Sequence, residues 1–217
     1  MTEKQKNITP KRPLKDSFSV IVEGGCEAWY LNMLKRHEKS VQISINPEIP
    51  QKKHLSDSFE LVKEKAKDYT KVFWIVDLDV IIKETKEAKK GKKTRMNEFL
   101  EYQTALKKDY TNVMVIVNNP CFEIWFLLHF EQNNVTFSDY KSLKKVFIRY
   151  LPDYEKKEKY YVRTNPDIWI RLKNELQTAY ENAKKLGYFD ENNTAKALAE
   201  MWLLFEETAF KGLVEVK

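Results

Sequence analysis

Short apolar runs alternate with amphipathic stretches over the first 120 residues. Four runs rich in β-branched and aromatic residues have the length of buried strands: residues 18–23, 41–45, 72–80 and 113–117. Between them, apolar positions recur at helical spacing, as in residues 27–38 and in two further stretches that begin near Ser56 and Met96. This alternation predicts an α/β fold, in which a parallel sheet of about four strands is flanked by helices.

The pattern changes after the fourth run and becomes helical. Residues 122–130 are apolar and aromatic, and the spacing beyond them predicts helices near residues 140–150, 167–186 and 193–210. We therefore divide the chain into a flexible basic tail (1–16), an α/β core (17–135) and a helical C-terminal subdomain packed on that core (136–217).

Carboxylates stand where two of the buried strands are predicted to stop. The third strand ends in Asp77-Leu78-Asp79. Side chains two residues apart in an extended backbone point the same way, so we expect Asp77 and Asp79 to converge on one hard cation such as Mg²⁺. The alternative is an Asp-rich turn that caps the next helix. The first strand ends in Glu23, and Glu27 follows at a helix start, where a carboxylate also compensates the helix dipole.

A third acid follows the fourth strand. Pro120 suits the start of a helix and Asn119 can cap it, which places Glu123 in an otherwise apolar first turn. Glu123 therefore either compensates the helix dipole or points into a site. His129 faces another direction and is expected to be a core residue.

Composition excludes several classes of protein. The two cysteines and three histidines show no zinc-ligand spacing. No apolar run reaches the ~18 residues of a membrane span and no signal peptide is recognisable, so we expect a cytoplasmic protein without membrane attachment.

The net charge of +6 favours an anionic partner, and the distribution of that charge is more informative. Basic residues crowd the stretch after the third strand, which we expect to be a loop that holds a nucleic-acid backbone beside the acids. Lysine runs elsewhere, in the tail and between residues 141 and 159, are typical of solvated surface. The predicted nucleic-acid-binding residues are Lys83, Lys86, Lys89, Lys90, Lys92, Lys93 and Arg95.

Four segments, in this order, carry a family resemblance: VEGGCEAWY, WIVDLD, NNPCFEIWFLLHF and ENNTAKALAEMW. On these the chain resembles the RloB/AbiLii-like family of restriction loci and phage abortive infection. That family is similar to a variant of the Toprim fold, whose pattern is a glutamate after the first strand and Asp-x-Asp after a later one. The resemblance implies that Glu23, Asp77 and Asp79 hold the metal, with Glu27 and Glu123 as further catalytic acids.

The activity implied is a nuclease that depends on Mg²⁺ or Mn²⁺ and cleaves nucleic-acid phosphodiesters, in DNA or tRNA, as the effector of an antiphage system. An ABC- or AAA-type ATPase is the implied partner. The alternative is a non-catalytic module of a defence complex that binds nucleic acid or the ATPase. Nucleotidyl transfer is a third hypothesis, which the chain's lack of a second large domain or of nucleotide-binding machinery disfavours.

Overall fold

A mixed β-sheet forms the centre of the protein. The computed structural model describes residues 17–41, 44–50, 54–132 and 136–216, and within these ranges the sheet has five strands in the order β2-β1-β3-β4-β5. The first four are parallel and β5 runs antiparallel to β4. The strands are β1 (Ser17–Ile21), β2 (Ser44–Glu48), β3 (Lys71–Asp77), β4 (Val113–Asn119) and β5 (Leu198–Ala199).

Helices flank this sheet, which confirms the predicted α/β class. Their bounds are α1 (Gly25–His37), α2 (Leu55–Lys65), α3 (Leu78–Glu87), α4 (Arg95–Asp109), α5 (Ile124–Leu128), α6 (Tyr140–Phe147), α7 (Ile168–Leu172), α8 (Leu176–Leu186) and α9 (Trp202–Phe205). A π-helical turn, Lys159–Arg163, lies between α6 and α7 and contacts α1. None of the described helices has both the length and the apolar character needed to cross a bilayer.

The sequence located β1, β3, β4, α1 and α4 within a few residues, whereas the predicted second strand was misplaced. Strand β2 begins at Ser44 instead of Val41 and runs through Pro47. Pro47 is tolerated because β2 is an edge strand, where a missing amide N–H costs no ladder hydrogen bond. Residues 42–43, inside the predicted range, and the tail 1–16 lie outside the described residues.

The predicted strand 72–80 and the loop after it were also wrong. Strand β3 stops at Asp77, and α3 begins at once with Leu78. Burial explains this, since Leu78 and Ile81 lie three residues apart and both face the core. The backbone N–H of Asp79 donates to the carbonyl of Pro120 at 2.9 Å. Asp77 and Asp79 therefore do not share one extended backbone, and the basic stretch begins on a helix.

The predicted helix 193–210 does not form. A 3₁₀ turn (Glu191–Asn193), β5, α9 and a second 3₁₀ turn (Thr208–Phe210) replace it. Glu200 accounts for the break, because its N–H donates to the carbonyl of Val117 (2.9 Å) and its carboxylate accepts from the N–H of Val117 (2.8 Å). The predicted helix 167–186 is likewise divided into α7, a 3₁₀ turn and α8.

Aromatic side chains dominate the core. Trp125 in α5 donates its indole N–H to the hydroxyl of Tyr30 (3.0 Å) and stacks on Phe205. His129 is buried, with Nδ1 2.8 Å from the carbonyl of Trp125, which confirms the prediction of a core histidine. These contacts join α5, the helix that follows β4, to α1 and α9. The division of the chain into core and C-terminal subdomain stays a prediction, although β5 joins the C-terminal part to the sheet.

Candidate functional site

A cavity of about 300 Å³ lies beside the ends of β1 and β3. Parallel strands bring their carboxyl ends to one edge of a sheet, so residues far apart in sequence meet there. Four carboxylates and one ammonium group line this space, which we call the acid cavity. Its lining residues are Glu23, Gly24, Gly25, Cys26, Glu27, Trp29, Asp77, Glu123 and Lys156.

Glu123 is buried, and a lysine is its ion-pair partner. Its side chain is 1% exposed, and its Oε1 atom accepts from the hydroxyl of Tyr154 (2.7 Å) and from Nζ of Lys156 (2.8 Å). Its Oε2 atom has no hydrogen-bond partner among the described residues. One oxygen is thus held in place, and the other is buried without a hydrogen-bond partner among the described residues.

Asp77 ends β3 directly opposite Asn118 of β4, whose amide nitrogen lies 3.5 Å from Oδ1 of Asp77. Burial raises the pKa of Asp77 well above its usual value, and the charges of Glu27 and Glu23 add to this effect. A carboxyl group in such surroundings gains from a cation placed beside it.

Glu27 lies in the first turn of α1 and is buried. Burial raises the pKa of Glu27 to about 7, and the negative charge of Glu123 contributes to this rise. Hydrogen bonds to the Glu27 carboxylate from the backbone N–H groups of Glu27 and Gly24 act in the opposite direction. Its carboxyl group therefore changes protonation near neutral pH, which suits a group that accepts or releases a proton.

Asp79 does not line the acid cavity, in contrast to the predicted convergence with Asp77. It sits in the first turn of α3, where its Oδ1 accepts from the N–H of Val80 (2.7 Å). Burial raises the pKa of Asp79, and the nearby charge of Lys156 lowers it. Asp79 thus acts on the cavity through the field it shares with Lys156 and Glu123.

Close packing explains one of the two glycines between β1 and α1. A Cβ atom on Gly25 would lie 2.6 Å from Cζ2 of Trp29, a distance that the rigid indole ring does not permit. A Cβ atom on Gly24 would lie 3.4 Å from Oε2 of Glu27, an ordinary contact. Gly25 therefore lets Trp29 form one wall of the acid cavity.

Sequence reasoning missed Lys156 and the tyrosines around it. Lys156 belongs to a basic run that was interpreted as solvated surface, yet its ammonium group reaches Glu123 and lies 3.8 Å from the centre of the Tyr140 ring. The hydroxyls of Tyr154 and Tyr161 are 2.5 Å apart and extend the network inward. Aromatic residues interleaved with those lysines were the available signal for a buried segment.

The two cysteines flank the same network. Cys26 lines the cavity, and burial raises its pKa to about 12. Cys121 is buried, and burial raises its pKa as well. Both thiols stay protonated at neutral pH, so they pack as small apolar groups instead of acting as nucleophiles.

The predicted nucleic-acid-binding residues are divided between two structures. Lys83 and Lys86 extend from α3, whereas the remaining four lysines lie in the connection to α4; all six are exposed. Arg95 differs, because it is half-buried and paired with Glu84 (2.6 Å) and Glu98 (2.7 Å). It lines a second cavity, of about 260 Å³, that shares Glu23 with the acid cavity.

Hard oxygen donors of this kind suit Mg²⁺, although the described residues contain no group of three Asp, Glu, His or Cys side chains arranged to hold a metal ion. Such a group is not required, because Mg²⁺ is usually held by one or two carboxylates together with water and substrate phosphate. The unpartnered Oε2 of buried Glu123 supports the same conclusion. The donor set fits a divalent cation that a phosphate ligand helps to bind.

Comparison with known families gives one match. The family model described as RloB-like protein matches residues 18–208, which includes every acid of the cavity. No curated protein and no solved structure is significantly similar to the chain.

Proposed function

Because the chain belongs to the RloB-like family, we propose that it is a Mg²⁺-dependent nuclease whose acid cavity cleaves nucleic-acid phosphodiesters. We further propose that it serves as the effector of an antiphage abortive-infection system, in the cytoplasm and beside an ABC- or AAA-type ATPase. The observation that carries the nuclease proposal is the meeting of four carboxylates in one cavity, two of them with a raised pKa.

The proposal assigns different roles to the acids. Glu23 and Asp77 would hold the metal ion, and Asp79 would support them from α3. When bound, the ion supplies charge for the developing phosphorane and acidifies a water molecule. Glu27, with a pKa of about 7, is the acid best suited to accept a proton from the attacking water at neutral pH.

The exposed lysines of α3 and of the connection after it provide contacts to phosphate groups. Contacts of this kind position a nucleic acid without reading its sequence. They would hold the flanking backbone while the scissile phosphate enters the acid cavity. Both DNA and tRNA offer this backbone.

Calorimetric titration of Mg²⁺ and Mn²⁺ into the protein tests the proposal. We expect the wild type to bind a divalent cation, Asp77→Asn and Glu23→Gln to lose that binding, and Asp109→Asn, an exposed acid at the end of α4, to retain it. DNA and tRNA would then be tested for cleavage, with Asp77→Asn as the inactive variant. Full cleavage by a folded Asp77→Asn protein would contradict the assignment.

One observation favours the non-catalytic alternative. The described side chains do not form a complete ligand set, as a module that keeps its acids only for folding would also show. Such a module binds nucleic acid equally well with Mg²⁺ or with chelator, and Asp79→Ala leaves this binding unchanged. A gel-shift titration in the presence and absence of Mg²⁺ separates the two functions.

A further inference from the structure

Lys156 is the only cationic residue among the described residues that line the acid cavity. It comes from the segment between α6 and the π-helical turn, outside the strand ends that supply the acids. Its side chain is 41% exposed, whereas its partner Glu123 is 1% exposed. The Lys156 side chain therefore reaches from the surface to the buried carboxylate of Glu123.

Two contacts fix the position of this charge. The ammonium group lies 2.8 Å from Oε1 of Glu123 and 3.8 Å from the centre of the Tyr140 ring. A cation between a carboxylate and an aromatic face is held by both, and its loss would leave the buried carboxylate of Glu123 without an opposite charge beside it. These two contacts hold the ammonium group of Lys156 at one position in the cavity.

The ammonium group also acts beyond Glu123. Electrostatic interactions link it to Glu27 on α1 and to Asp79 on α3, which approach the cavity from two further elements. One unit of positive charge therefore serves three acids. A divalent cation bound in a cluster of carboxylates likewise offsets the charge of several acids at once.

We propose that Lys156 is the resident cation of the acid cavity and that it occupies the position beside Glu123 that a second divalent cation would take. The acid cavity then admits one divalent cation, held by Glu23 and Asp77. This inference rests on the proposed metal-dependent function, and it makes Glu123 a partner of Lys156 instead of a metal ligand.

Removal of the ammonium group should open the second position. In Lys156→Met, Oε1 of Glu123 keeps its hydrogen bond from Tyr154 but loses the ammonium group, and Oε2 has no partner among the described residues. Glu123, Glu27 and Asp77 then line a cavity with no internal cation. We expect this variant to bind one more Mn²⁺ ion per chain than the wild type.

The experiment counts Mn²⁺ ions per chain by calorimetry at one fixed pH. Lys156→Arg keeps the charge and should bind as many ions as the wild type. Lys157→Met removes the neighbouring, exposed lysine that pairs only with Glu155 on the surface, and it should also match the wild type. The double variant Glu123→Gln/Lys156→Met should lose the additional ion. Circular dichroism establishes that each variant is folded, and Lys156→Gln serves the same comparison if the methionine variant does not fold.

The counts separate this inference from the proposed function. One ion in the wild type and an additional ion in Lys156→Met support the inference, whereas a wild type that binds none overturns the proposed function and the inference that rests on it. Equal, non-zero counts in the two proteins overturn the inference and leave the function standing. No binding to either protein overturns both, and an additional ion in Lys157→Met also contradicts the inference.

Discussion

At the scale of single residues, the acid cavity concentrates negative charge where water is scarce. Glu27 shows the consequence most clearly, because its carboxyl group is almost fully buried and faces Glu123. Burial and like charge both favour the protonated form. The folded protein therefore binds a proton on Glu27 at a pH at which the unfolded chain has already released it.

This difference predicts how stability depends on pH. The pKa of Glu27 is about 7 in the folded protein and 4.5 in its ordinary state, so unfolding releases a proton between these values. The free energy of unfolding of the metal-free protein should fall as pH rises through this window, by about 2–3 kcal/mol from Glu27. Urea unfolding at pH 5, 6, 7 and 8 measures it. Glu27→Gln should make the fall in the free energy of unfolding smaller. Glu87→Gln, an exposed control, should leave it unchanged. A wild-type stability that is constant from pH 5 to 8 would refute the explanation.

Gly25 gives a second prediction at this scale. Gly25→Ala forces a methyl group against the Trp29 ring, and overpacking of this kind costs about 1–3 kcal/mol of stability. Gly24→Ala is the matched control, since its methyl group meets only an ordinary contact. Thermal unfolding of both variants gives the comparison, and equal effects would show that the Trp29 wall is not rigid.

The sequence indicated part of this chemistry. Four of the five acids that it singled out line one cavity, because strand ends of a parallel sheet meet at a single edge. Their roles stay predictions. Lys156 could not be found in the same way, since its charge is identical to that of its exposed neighbours and only the tertiary fold brings it to Glu123.

At the scale of elements, short pieces of structure decide where the cavity forms. β5 contains two residues, yet it pairs with the end of β4, and Glu200, the residue directly after it, bonds to Val117 of β4. The carboxylate of Glu200 is buried and accepts from the N–H groups of Val117 and Phe189, each at 2.8 Å. Two amide groups thus depend on one side chain.

Glu200→Ala should therefore be strongly destabilising. It leaves the buried N–H of Val117 and the partly buried N–H of Phe189 without acceptors, at about 1–3 kcal/mol for the buried group, and Glu200→Gln should cost less because its carbonyl oxygen still accepts one of them. Chemical denaturation measures the loss of stability. Amide hydrogen exchange should accelerate at Phe189 and at Val117. At Val117 it should accelerate more than at the other residues of β4. Unchanged exchange at these two amides would show that β5 is held by other contacts.

Elements of this length explain the errors of the sequence analysis. Residues 193–210 have apolar positions at helical spacing, and nothing local reveals that Glu200 bonds to β4. α3 was missed for a different reason: only Leu78 and Ile81 of this helix are buried, while the apolar Val80 is exposed, so its apolar positions do not mark one face. In both places tertiary contacts outweigh the local pattern.

At the scale of the whole molecule, the charge is distributed unequally. Four acids meet at the cavity, although the chain as a whole carries a net charge of +6. The six exposed lysines between Lys83 and Lys93 form the basic group that follows β3 in the chain. A polyanion would be attracted by the surface as a whole and repelled by the cavity unless cations neutralise it.

Salt dependence tests this arrangement. Replacement of Lys83, Lys86, Lys89 and Lys90 by Gln should weaken binding of DNA or tRNA and should lower the slope of log K against log salt by about 0.7–0.9 for each phosphate group that the variant no longer neutralises. Lys107→Gln/Lys108→Gln, exposed on α4, is the control and should keep the wild-type slope. Equal slopes in all three proteins would place the nucleic-acid contacts elsewhere.

The α/β architecture as a whole was predictable because four apolar runs and the helices between them repeat a pattern that only a parallel sheet satisfies. The fifth strand and the segment that carries Lys156 were not predictable. They are positioned by contacts between residues more than 30 positions apart, such as Tyr154 with Glu123.

The anchoring of β4 by β5 has a consequence for biosynthesis. Asn119 donates to the carbonyls of Thr194 (2.9 Å) and Lys196 (2.6 Å), so the turn that leads to Glu123 is fastened by residues that are synthesised at least 75 positions later. A ribosome adds about 5–20 residues per second, and during that interval the early strands lack their final support. A nascent chain that ends before residues 194–196 therefore lacks the contacts that fasten this turn, so the acid cavity reaches its final form only after those residues have been added.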